Sequence, residues 1–165
     1  MGRSARPPSR IRLLVLDVDG VLTDGRLYYG PRGETLKVFH VQDGHGIREV
    51  QRAGIAVAVI SGREGAAVRR RCRELGIRHL HQGVADKLPV LRRLCARLGI
   101  DLAECAAIGD DAPDVPLLRA VGRSFAVPAA HASARRAAQH TTRAHGGCGA
   151  VREVCDQLVA EQARR

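Results

Sequence analysis

Leu13-Leu14-Val15-Leu16-Asp17-Val18-Asp19-Gly20 is the stretch that decides how this chain reads. A short aliphatic run bounded by Gly predicts a buried strand. Two carboxylates at its C-terminal end do not belong in a dry core, where an unpaired charge is costly. In open α/β sheets, ligands bind just outside the carboxyl ends of the strands. Asp17 and Asp19 therefore stand where chemistry is expected. The competing reading is a plain turn, since Asp is a common turn residue. A second pair, Asp110-Asp111, follows another apolar run much further along.

Working outward, strand-like and helix-like segments alternate. Strands are expected at about 11–17, 55–60, 78–80, 105–108 and 124–127. Helices are expected from Asp43 to Gly54, over 64–75 and 86–98, as a short turn after Asp111, and from Ala150 onward. The last carries one apolar stripe of Val151, Val154, Cys155, Leu158 and Val159. Strands alternating with helices predict βαβ units and a parallel sheet with helices on both faces. The exception is 26–40, where two strand-like runs flank Gly30-Pro31-Arg32-Gly33 and predict a β-hairpin insertion. It is too small for a second domain.

A length of 165 residues suits one domain. The basic, Pro-containing residues 1–10 read as a disordered tail, and 11–165 as a single domain. Aromatics make up 2% of the chain and Trp is absent, so the core must be aliphatic. No apolar stretch approaches the roughly 20 residues of a membrane span, and the N-terminus lacks a signal-peptide pattern. Five cysteines, an odd number without zinc spacing, argue against a sulfur-bound metal and suit a reducing, cytoplasmic compartment. The net charge of +10 raises nucleic acid as a partner. The basic residues are scattered, however, and there are almost no aromatics to stack on bases. Only Lys37 and Lys87 are lysines among 27 basic residues, so the charge reads mainly as an Arg-rich surface.

Four predicted strands end in, or lead into, polar clusters: Asp17 and Asp19; Ser61 with Gly62; Lys87; and Asp110, Asp111 and Asp114. A parallel sheet gathers these on one edge. Several carboxylates there repel one another unless a cation neutralises them, and Mg²⁺ suits an all-oxygen set. Ser61, nearby backbone N–H groups and Lys87 supply donors for a phosphate. Asp17 then becomes the candidate nucleophile and Asp19 the candidate acid/base of a phosphoryl transfer. Each residue has a plainer reading. Ser61 is a possible helix N-cap, Lys87 a solvated helix residue, and Asp111 and Asp114 helix N-terminal acids. All of these holding at four successive strand ends is improbable.

The clusters resemble the haloacid dehalogenase (HAD) superfamily of phosphatases: DVDGV at 17–21, Ser61, Lys87 and GDDAPD at 109–114, in that order. Over about residues 11–162 the likeness narrows to the 3-deoxy-D-manno-octulosonate (KDO) 8-phosphate phosphatases. It is carried by DVDGVLTDG, the hairpin, DGHGIR, SGR, LHQGVADK, GDDAPDVP and GGCGAVREVCD. The resemblance implies a Rossmann-like HAD fold without a cap domain. It implies Mg²⁺ held by Asp17, the Asp19 backbone carbonyl and Asp110, phosphate held by Ser61 and Lys87, and support from Asp111 and Asp114. It further implies hydrolysis of a sugar-acid phosphate through an aspartyl-phosphate, for lipopolysaccharide core synthesis. It also implies a homotetramer built partly through the hairpin, in which a neighbouring subunit covers the site.

Arg63, with Arg71 further along, suits the substrate carboxylate. Ordinary surface arginines are the alternative. A relative that acts on nine-carbon 2-keto sugar acid 9-phosphates tends to carry Gly-Glu where this chain has Gly62-Arg63. That substrate, and a basic nucleic-acid-binding protein, are the two competing functions. His45 takes no role, and the Gly146–Gly149 segment resembles a mobile C-terminal piece of the family.

Overall fold

The computed structural model describes residues 10–164. The expected tail therefore lies outside the described residues except for Arg10, whose guanidinium donates to Gln162 at 2.7 Å. The chain runs β1 (Leu13–Leu16), β2 (Tyr28–Gly30), β3 (Gly33–Leu36), α1 (Val41–Arg52), β4 (Ala56–Ile60), α2 (Ala66–Glu74), β5 (His79–His81) and α3 (Lys87–Leu98). It continues with β6 (Cys105–Gly109), α4 (Val115–Ala120), β7 (Arg123–Ala126), α5 (Ala132–Ala137), β8 (His140–Thr141) and α6 (Ala150–Ala163).

Six parallel strands form one sheet in the order β5-β4-β1-β6-β7-β8. β1 is central because every residue in it is buried on both faces. The chain leaves β1 toward β4 and later returns across to β6, so the strand order reverses beside β1. Side chains after β1 and β6 meet at that switch point. Right-handed crossovers put α1 and α2 on one face and α3, α4 and α5 on the other. α6 returns to pack on α1. The core is aliphatic as expected, with Phe125 the sole aromatic among its largest fully buried side chains. Cys72, Cys95, Cys105 and Cys155 are buried and unpaired.

β2 and β3 form the expected antiparallel hairpin, separate from the main sheet. The second strand stops at Leu36, and Lys37 to His40 run on irregularly into α1. α1 begins two residues earlier than expected, at Val41, which places Asp43 inside its first turn. Asp43 is buried, and its Oδ1 accepts from the Arg152 amide in the first turn of α6 at 2.9 Å. It thus satisfies one of the orphan amides of α6 from a different helix.

Burial holds the Asp43 carboxyl above its ordinary value of 3.8, against the pull of the Arg152 amide. Its Oδ2 has no partner. A carboxyl that binds its proton more tightly when folded loses stability as pH rises from 3.8 through the folded pKa. Asp43→Asn keeps an acceptor and does not titrate. In urea melts it should gain on the wild type as the pH rises above 3.8 through the folded pKa of Asp43. Asp43→Ala, which strips the acceptor, should lose about 1 kcal/mol or more. A pH-independent difference between Asp43→Asn and the wild type would contradict this.

Candidate active site

The segment after β1 is folded by its own backbone. The amides of Val21, Leu22 and Thr23 all donate to the Val18 carbonyl, at 3.2, 2.9 and 3.1 Å. Buried Thr23 ties the turn shut, its Oγ1 accepting from the Gly20 and Gly25 amides at 3.3 and 3.2 Å. From the C-terminal side, the Gly147 amide donates to the Val21 carbonyl at 3.0 Å. Gly146 packs so closely on the Gly20 carbonyl that any Cβ there would overlap it. The Gly146–Gly149 segment therefore docks beneath the loop carrying Asp19 and leads into α6. Thr23 is a functional support that composition and motif did not single out.

Lys87 is the centre of the site. It opens α3, its side chain is 5% exposed, and its Nζ lies 2.8 Å from Asp17 Oδ1 and 2.6 Å from Asp114 Oδ1. Asp114 Oδ2 accepts from the amides of Asp110 and Asp111 at 2.9 and 3.3 Å. Both oxygens of Asp114 are thus engaged, one by Lys87 and one by the backbone after β6. The loop is held from outside by the His131 amide, which donates to the Asp110 carbonyl at 2.7 Å.

Carboxylate oxygens of Asp17, Asp110 and Asp114 lie within 4.8 Å of one another. Burial first, then repulsion from Asp114, raises the Asp17 carboxyl, with Lys87 pulling the other way. Burial and the charges of Asp17 and Asp114 raise Asp110. Burial would lower Lys87, but Asp17 and Asp114 outweigh it and hold the lysine firmly charged. One ammonium against three crowded carboxylates leaves negative charge over. With Asp114 filled, Asp17 and Asp110 retain free oxygens, and this hard, all-oxygen donor set fits Mg²⁺.

A cleft of about 300 Å³ opens over these groups, lined also by Asp19, Ser61, Gly62, Arg63 and Asp111. Ser61 is buried at the end of β4 and its Oγ accepts from the Arg63 amide at 3.3 Å. Asp111 is exposed and turns to its own backbone, accepting from the Ala112 amide at 2.7 Å. The Asp19 carboxylate is not one of the three clustered carboxylates and pairs instead with cations at the hairpin side. There Lys37 Nζ meets its Oδ1 at 2.5 Å and Arg63 Nε approaches its Oδ2 at 3.8 Å. Arg63 also reaches Glu34 Oε2 at 2.8 Å and the Tyr29 hydroxyl at 3.4 Å.

The structure does not bring Arg71 to Arg63. Arg63 sits in the loop before α2, whereas Arg71 lies on α2 and packs against Gly44 of α1. Its guanidinium stands 5.9 Å over the Phe39 ring and pairs with Glu74 at 3.6 Å, and it does not line the cleft. His45 is exposed on α1 beside Glu49. Besides Thr23, the sequence reading missed Lys37, the partner of Asp19. The signal was available: it is the only lysine besides Lys87.

A family model for haloacid dehalogenase-like hydrolases matches residues 80–154. The 3-deoxy-D-manno-octulosonate 8-phosphate phosphatase KdsC of Escherichia coli K12 is 49% identical over 154 residues, which covers 93% of this chain and 82% of that protein. This chain belongs to that family. The crystal structure of the Moraxella catarrhalis phosphatase, in complex with magnesium, phosphate and KDO, matches 95% of this chain and 90% of its own at a TM-score of 0.92 and 43% identity. The cobalt-bound Haemophilus influenzae enzyme matches 93% of this chain and 90% of its own, at a TM-score of 0.90 and 42% identity. The family fold is thus shared over almost the whole chain.

Gly20 adopts φ +87°, and a Cβ there would fall 2.0 Å from Asp110 Oδ2. Gly20→Ala should therefore displace Asp110 and weaken Mg²⁺ binding in calorimetric titration by about tenfold or more, with the far-UV spectrum retained. Unchanged Mg²⁺ affinity would show that Asp110 is not a ligand.

Proposed function

We propose that this chain is a Mg²⁺-dependent phosphomonoester hydrolase that converts 3-deoxy-D-manno-octulosonate 8-phosphate to the free sugar acid and phosphate, a step of lipopolysaccharide core synthesis. The observation that carries this reading is Lys87 bridging Asp17 and Asp114 beside Asp110, on the fold of relatives named for that activity.

Asp17 attacks phosphorus with a carboxylate oxygen. The bond from phosphorus to the sugar oxygen breaks, and an aspartyl-phosphate forms. Asp19 gives a proton to the departing alkoxide. In the second step Asp19 takes a proton from water, whose oxygen attacks phosphorus. The bond to Asp17 breaks and phosphate leaves. Asp17 and Asp110, with the Asp19 backbone carbonyl, would hold Mg²⁺, which when bound offsets charge on the transferring group. Ser61, Gly62 and Lys87 hold the phosphate. Asp114 fixes Lys87, and Asp111 orders the turn that presents Asp110. Arg63, half-exposed at the cleft mouth, offers a cation to the sugar-acid carboxylate.

The hairpin and the residues flanking it expose Leu27, Tyr29, Leu36, Val38 and Val41. Such apolar exposure beside unpaired strand edges calls for cover. We assign it to a homotetramer in which a neighbouring copy closes the cleft. Unpaired cysteines fit the cytoplasm.

The test is phosphate release from a panel of eight- and nine-carbon 2-keto sugar-acid phosphates. The eight-carbon substrate should give the highest kcat/KM. Chelation of Mg²⁺ should abolish turnover, and Asp17→Asn should retain no more than about one part in 10³. Activity in Asp17→Asn, or preference for the nine-carbon ester, would overturn the reading. Light scattering should give the mass of four chains; a monomer would remove the tetramer.

A further inference from the structure

Of the two lysines of the chain, Lys87 lines the cleft, whereas Lys37 stands behind Asp19, one of the cleft's lining residues, and comes from the end of the hairpin. Its side chain is 5% exposed, and its ammonium sits between Asp19 Oδ1 at 2.5 Å and Glu34 Oε1 at 2.9 Å. Glu34 is also the partner of Arg63. Glu34, Lys37, Asp19 and Arg63 form a closed ring of alternating charge, of which Asp19 and Arg63 line the cleft.

This ring explains the geometry of Asp19. Two residues after Asp17 and close to a site short of positive charge, its carboxylate would otherwise be drawn to whatever cation the cluster holds. Lys37 fixes Oδ1 on the hairpin side. Oδ2 is left facing Arg63 at the looser distance of 3.8 Å. A lysine suits this duty because its ammonium is a compact charge on a long stem. Lys37 follows the end of β3 directly, so hairpin formation itself delivers it.

We propose that Lys37 is a positioning residue for the acid/base Asp19, holding that carboxylate away from the metal cluster and toward the leaving-group side of the cleft. The inference rests on the acid/base role of Asp19 given above. It makes the hairpin part of the catalytic apparatus of its own subunit, in addition to any contact it makes between subunits.

The test exploits leaving-group chemistry. A sugar alkoxide needs a proton as it departs, whereas p-nitrophenolate leaves without one. Lys37→Met should lower kcat for the sugar-acid phosphate by about tenfold or more beyond any loss with p-nitrophenyl phosphate, since general acid catalysis contributes about 10²–10⁴-fold. The inhibition constant of inorganic phosphate should stay near the wild-type value. Lys37→Arg should recover part of the selective loss. Lys37→Gln, which keeps a polar head against Glu34, is measured alongside in case Lys37→Met does not fold. Equal losses on both substrates, or no loss in either variant, would overturn the positioning role. Asp19→Asn separates the two claims. If it too spares p-nitrophenyl phosphate while the Lys37 variants lose nothing selectively, only the positioning role fails. If Asp19→Asn loses both substrates equally, the acid/base role fails.

Discussion

The buried ammonium of Lys87, shared between Asp17 and Asp114, is the interaction on which the rest of this site depends. It ties the ends of β1 and β6 to the start of α3, three elements far apart in sequence. Asp114 passes the constraint on, because its second oxygen orders the backbone amides at Asp110 and Asp111. The same crowding that raises Asp17 and Asp110 leaves a place that a divalent cation fits. A buried lysine missing one of these carboxylates would lose its compensation, a change that typically costs several kcal/mol.

The fold places this cluster with little further expense. β1 pairs with β4 on one side and β6 on the other in parallel register, so the three strand ends are level. The hairpin then supplies from the side what the sheet edge lacks. Lys37 and Glu34 reach over Asp19 and Arg63, and the apolar surface of the same hairpin remains outward. One insertion thus carries both the charged groups that pair with Asp19 and Arg63 and an exposed apolar surface, with no cap domain among the described residues.

Much of this was legible in the sequence because the chemistry sits at punctuation marks. Apolar runs ending abruptly in Asp17, Ser61 and Asp110 mark strand ends, and βαβ alternation brings such ends together. The five longer strands of the main sheet and the longer helices follow from the same runs. β8 and α5 escaped notice, being 2 and 6 residues long, too short for any periodicity. The partners of the arginines were not legible either. Arg63 and Arg71 are eight positions apart and look alike, yet one lies in a loop at the cleft and the other on a helix face packed against α1. Only tertiary packing separates them. The roles of Thr23 and Asp43 likewise depend on contacts that no local pattern announces, the latter reaching 109 positions along the chain.

The central claim is that Asp17 carries the phosphoryl group, with Lys87 and Asp110 arranged around it. A crystal structure with Mg²⁺ and beryllium fluoride tests it most directly, because the trifluoride mimics a phosphoryl group on a carboxylate. The account predicts the beryllium bonded to an Asp17 oxygen, Lys87 in contact with a fluorine, and Mg²⁺ held by Asp17 and Asp110 with Asp114 still on Lys87. Beryllium on any other carboxylate, or Mg²⁺ taken by Asp114 with Lys87 released, would contradict it.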